Sequence, residues 1–140
     1  MNKNFLENQD MGVLIMRVTL AALIFFHGWH KVVNGIGMPS ARLESWGIPG
    51  FLMYFAYISE VLAPLLILAG TFCRLSTITI FVTMLIVLYL DIKTGIGFDI
   101  HGAPTNETQL FYLLFSAALI FTGPGRYRVT NTGQKHWLLE

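Results

Sequence analysis

Residues 11–31 read MGVLIMRVTLAALIFFHGWHK, and apart from Arg17 they carry no formal charge until Lys31. Extended to Val33, the run reaches the roughly 20 residues that cross a bilayer core at about 1.5 Å per residue, so it predicts a membrane-spanning helix. Its last turns hold His27, Gly28, Trp29, His30 and Lys31. A segment fit for lipid therefore ends on two imidazoles and an ammonium.

The whole chain agrees with that reading. Of 140 residues, 54% are hydrophobic and only 12% charged, and the mean hydropathy is +0.60. A soluble domain of this size still exposes roughly a third of its unfolded surface, which this sequence has too few charges to cover. The formal net charge of +1 leaves no electrostatic footprint for nucleic acid. Cys73 is the single cysteine, so an internal disulfide, a CxxC pair and a cysteine-based metal cluster are excluded, and redox chemistry would need a partner, metal or bound cofactor. The opening MNKNFLENQDMG is polar and of mixed charge, with no small-residue cleavage signature after it, so the first apolar run is expected to stay as an anchor.

Three further apolar segments follow at residues 51–70, 75–91 and 107–122. With the first at 11–33, they predict an all-α integral membrane four-helix bundle, a single membrane domain over residues 1–140. Punctuation supports the count. Gly35, Gly37 and Pro39 close the first helix region, Gly47 to Gly50 prepare the second, and Gly123-Pro124-Gly125 stop the fourth. Residues 70–74 form so short a connection that the second and third helices must run antiparallel. An even number of spans puts both termini on one side. That side carries Lys3, Arg74, Arg126, Arg128 and Lys135 against Lys31, Arg42 and Lys93, which favours cytoplasmic termini.

Charge within such segments is costly, at least about 2.5–3.5 kcal/mol near mid-bilayer, so charged side chains should face the bundle interior and pair. Arg17, Ala21, Ile24, Gly28 and Lys31 share one helical face, His27 lies at its edge and His30 well round the far side. Counted from the outer helix ends, Glu60 lies roughly 15 Å deep and Arg17 roughly 20 Å deep, which nominates Arg17 and Glu60 as a pair. His27 and Lys31 fall level with Asp91 and Glu107, which can supply opposite charge. Pro64 removes the donor that would bond the carbonyl of residue 60, opening a kink at the same level. The result is an expected polar pocket, open to the outer face and lined by Arg17, His27, Lys31, Glu60 and Glu107. The alternative is a set of structural ion pairs that fix helix register.

The His27/His30 spacing, with Asp99 and His101 from the outer loop, is a weak metal signal, and His30 reads equally as an interfacial residue beside Trp29. Arg126, Tyr127 and Arg128 read as an anchor at the opposite interface. A quinone or similar flat apolar ligand suits the pocket: Arg17, His27 and Lys31 would bond its carbonyl oxygens, a carboxylate would handle protons, and Phe25, Phe26, Trp29, Tyr54 and Tyr57 would supply walls.

Taken in order, Arg17, His27-Gly28 with Lys31, Gly47-Ile48-Pro49, Glu60, Gly70 with Arg74, Asn106-Glu107 and Gly123-Pro124-Gly125-Arg126-Tyr127 resemble the DoxX family of small bacterial membrane proteins. The resemblance spans about residues 12–129 and implies a four-helix protein of the bacterial inner membrane. It also implies association with membrane oxidoreductase systems, since the family takes its name from a subunit linked to thiosulfate oxidation and quinone. The positions it carries over are Arg17, His27, Lys31, Glu60, Asn106 and Glu107; His30 stands outside the pattern. The resulting expectation gives Glu60 and His27 proton transfer as catalytic groups, gives Arg17, Lys31, Asn106 and Glu107 ligand binding, with Glu107 orienting Lys31, and assigns no metal ligand. Expected partners are the lipid bilayer and a membrane or periplasmic protein, with a homo-oligomer permitted. The competing expectation is a non-catalytic membrane partner or small-solute carrier whose charge cluster serves assembly or passage.

Overall fold

The computed structural model describes residues 8–129. The first helix, α1 (Gln9–Asn34), starts where the Asn8 side chain accepts a hydrogen bond from the Met11 amide at 3.2 Å, and stops where Gly35 turns to φ 77°. A short α2 (Gly37–Ser45) follows, with Pro39 in its first turn, where a missing N–H costs no helical bond. α3 (Gly50–Ala69) is one apolar rod of mixed winding: a 3-10 start at Gly50–Tyr54, an α turn at Phe55–Tyr57, a π turn at Ile58–Leu62 and α again over Ala63–Ala69. Gly70, left-handed at φ 73°, caps it and returns the chain into α4 (Cys73–Thr94). α5 (Glu107–Thr122) ends at Gly123, again with positive φ.

The described residues are thus all-helical in architecture, with α1, α3 and α4 long and apolar enough to cross a membrane and α5 apolar but only 16 residues long. The expected spans lie within these helices to within a few residues. The stretch between the first two spans is not irregular throughout, because it holds α2. Its good helix formers Ala41, Arg42, Leu43 and Glu44 explain the winding.

Leu20, Ala21 and Ile24 of α1, Ala63 and Ile67 of α3, Cys73, Ile80 and Met84 of α4, and Tyr112 and Leu119 of α5 form the shared core. Yet the outer faces are apolar too, with Phe26, Leu85, Ile86, Leu114 and Phe121 exposed. Helices hydrophobic all round need lipid as their second solvent. Buried hydroxyls follow the rule for such surroundings by bonding within their own helices: Thr77 donates to the Cys73 carbonyl at 2.6 Å and Ser116 to that of Leu113 at 2.8 Å.

Two ends emerge. At one, α2 is tied to the end of α4 by Arg42 and Asp91 at 3.1 Å, beside the loop 95–106 and the start of α5. At the other, the Arg126 amide donates to Asp10 and the Val129 amide to the carbonyl of Ala69. Lys3 and Lys135, which enter the orientation count, lie outside the described residues.

Candidate functional site

α1 and α3 meet where α3 changes its winding. Pro64 brings no N–H to the position four residues after Glu60, and the π turn bonds the Ala63 amide to the carbonyl of Ile58 instead. The Glu60 backbone is left against α1, and the residue that faces it there is Gly28, where a side chain would overlap the Glu60 carbonyl. Close approach of the backbones lets the side chains above them join. Lys31 Nζ donates to both Glu60 carboxylate oxygens at 2.5 and 2.6 Å, with Glu60 only 6% exposed. The Tyr57 hydroxyl donates to the Lys31 carbonyl at 3.3 Å, fixing the same turn of α1.

This ion pair forms part of the wall of two cavities. One, of about 620 Å³, is largely apolar and runs between α2, α3 and α4, past Leu43, Trp46, Phe55 and Ile86. The other, of about 300 Å³, reaches α5 and is lined by His27, Thr105, Thr108, Gln109 and Tyr112 as well as the pair. His27 is exposed and packs edge-on to the Tyr112 ring, centroids 5.9 Å apart at 78°. A third cavity of about 250 Å³ shares Thr105 and Gln109 with the second and adds Asn106, Arg42 and Asp91.

The structure therefore brings His27, Lys31 and Glu60 together and places Asn106 next door. It does not bring Arg17 to Glu60. Arg17, 2% exposed, donates from Nη1 to the Pro124 carbonyl at 2.6 Å and from Nη2 to the carbonyls of Tyr127 at 2.5 Å and Leu68 at 3.5 Å. The reason lies in helix geometry. Side chains lean toward the helix N-terminus, so Arg17 is directed away from Glu60 while Lys31, about 21 Å further along α1, is directed down onto it. The expected pairing of Arg17 with Glu60 is thereby replaced by Lys31 with Glu60. Glu107 does not orient Lys31 either: it is exposed in the first turn of α5, where a carboxylate complements the helix dipole.

Of the aromatic walls expected from sequence, Phe25 stacks on Trp29 and Tyr54 leans on Tyr57, while Trp46, Phe55 and Tyr112 line the cavities. Gln109 and Tyr112 were legible in principle: with Asn106 and Ser116 they mark a polar stripe at three- and four-residue spacing on an otherwise apolar helix. Asp99 accepts from the His101 and Ala103 amides at 2.8 and 3.0 Å and thereby shapes its own loop. Among the described residues no three histidine, cysteine or carboxylate side chains gather as a metal site.

Arg17 instead staples residues 124–127 to the bundle. Hydrogen bonds to a charged group contribute about 1.5–3 kcal/mol each. Arg17→Ala is accordingly expected to raise amide hydrogen exchange over residues 123–129 at least tenfold and to leave exchange around Lys31 unchanged. Equal exchange in both proteins would show that the staple is idle.

A bundle of apolar-faced helices with an ion pair and polar cavities at one end defines a small multi-pass membrane protein. Its family follows from comparison with known sequences. The DoxX family model matches residues 12–91, and the chain belongs to that family. The inner membrane protein YqjF of Escherichia coli (strain K12) is 28% identical over 134 residues, covering 92% of this chain and 97% of the relative. No solved structure matches.

Proposed function

We propose that the protein is a small subunit of a bacterial inner-membrane redox system, with cytoplasmic termini, that binds a quinone or similar lipid-soluble molecule beside Lys31 and Glu60. The observation that carries this reading is the ion pair between half-buried Lys31 and buried Glu60 in the wall of the 620 Å³ apolar cavity. A flat apolar body with carbonyl oxygens needs such a volume with a few placed donors. Lys31 donates to a ligand oxygen, Glu60 exchanges a proton with it, and His27, in the 300 Å³ cavity beyond the pair, relays that proton toward the polar end. Electrons come from a partner protein, because a lone cysteine offers no dithiol. The inner-membrane placement draws on the relative, and the termini on the balance of basic residues.

The test is the lipid extract of protein purified in mild detergent. About one quinone per chain is expected in the wild type and at least a tenfold loss in Lys31→Met, whereas Glu60→Gln, which keeps shape and loses the proton, retains quinone and loses quinone-linked turnover. Extracts without quinone from a folded wild-type protein would favour a non-catalytic membrane partner or solute carrier.

A further inference from the structure

The 250 Å³ cavity between the end of α4 and the start of α5 has a chemistry that the Lys31–Glu60 site does not use. Asn106 occupies the position before the first residue of α5, where an asparagine ordinarily spends its oxygen on a free amide of the first turn. Here it makes no such cap bond. Its side chain is instead 4% exposed and turned into the bundle, with Oδ1 bonded to nothing. One turn on, Oε1 of Gln109 is also buried without a partner. Both residues line the same cavity, with Thr94, Thr105, Asp91 and Arg42. Buried acceptors are costly to leave unpaired, so the volume these two face is suited to donors.

Charge narrows the ligand. Asp91 and Arg42 contribute one negative and one positive group to the wall, held together at 3.1 Å. The Arg42 side chain is 61% exposed, and such a pair is weak and opens readily. A ligand with adjacent ammonium and anionic groups exchanges this pair without leaving a charge alone. Three N–H donors meet Asn106, Gln109 and Asp91, and Arg42 receives the anion. Arg42 and Asp91 also line the large apolar cavity, so a head group can reach the site from the membrane. We propose that this cavity is a second binding site, selective for a primary-ammonium zwitterion of the phosphoethanolamine type, supplied free or as a lipid head group. The assignment does not depend on quinone binding.

The full-length protein in phosphatidylcholine nanodiscs, titrated calorimetrically with O-phosphoethanolamine, is expected to bind it at least tenfold more tightly than phosphocholine, whose quaternary nitrogen has no N–H, or inorganic phosphate. A parallel arm uses nanodiscs of equal phosphatidylethanolamine and phosphatidylcholine and reads the retained lipid by native mass spectrometry. Preference in the first arm identifies a soluble source; preference in the second alone identifies the lipid. Either preference should vanish in Asn106→Leu and Gln109→Leu and persist in Asn106→Asp, which keeps an acceptor oxygen of the same reach. No preference in either arm, or a preference that Asn106→Leu and Gln109→Leu both leave intact, would overturn the proposal.

Discussion

Lys31→Ala is expected to destabilise the bundle by about 3–5 kcal/mol, because it leaves the buried Glu60 carboxylate without its partner, and Glu60→Ala by less, because the Lys31 side chain is 20% exposed and its ammonium can still reach water. The double variant should be much less damaged than the sum of the two, with a coupling of about 2–3 kcal/mol. Physically, the ion pair gains its Coulomb energy only by taking both groups out of water, so removing both returns much of what removing one forfeits. The measurement is reversible unfolding in mixed micelles for the wild type, both single variants and the double. A control cycle on Arg17 and Glu60 should be additive within about 0.5 kcal/mol, since Arg17 bonds only to carbonyls of Leu68, Pro124 and Tyr127 among the contacts resolved for it. Additivity at Lys31 and Glu60, or coupling at Arg17 and Glu60, would contradict the arrangement.

Why sequence reasoning singled out the charges set in apolar helices but paired them differently from the structure is a matter of direction. The cost of burying charge in an apolar helix depends on residue type and depth, and both are written in the chain, so Arg17, Lys31 and Glu60 stand out. Depth alone makes Arg17 and Glu60 neighbours. The tilt of each Cα–Cβ bond toward the helix N-terminus separates them and joins Lys31 to Glu60. That correction is available from sequence once helix direction is included. The acceptor stripe on α5 is legible in the same way, from Asn106, Gln109, Tyr112 and Ser116. The shape of the cavities is not, because it arises from α2, whose nine residues carry no spanning pattern, and from the π turn in α3. Pro64 announces a broken hydrogen-bond ladder, but only the packing of α1 decides that the break widens a turn.

Gly28→Ala is the substitution expected to test that packing most sharply. A Cβ at residue 28 would overlap the Glu60 carbonyl and stand 2.8 Å from Cγ2 of Val61. The obstacle is backbone, which cannot rotate aside as a side chain can, so α1 and α3 must separate. Overpacking of this kind costs about 1–3 kcal/mol. Gly12, on the same helix, has nothing within 4 Å of such a methyl, so Gly12→Ala is expected to be neutral or to stabilise by about 0.5–1 kcal/mol through helix propensity. Separation also lengthens the contact between Lys31 and Glu60 above the crossing. The coupling between those two residues should therefore fall by half or more when the double-mutant cycle is repeated in the Gly28→Ala background, while Gly12→Ala leaves it unchanged. If Gly28→Ala lowers stability and leaves the coupling intact, the glycine serves packing alone; if both fall together, the close approach of α1 to the break in α3 is what holds the ion pair in place.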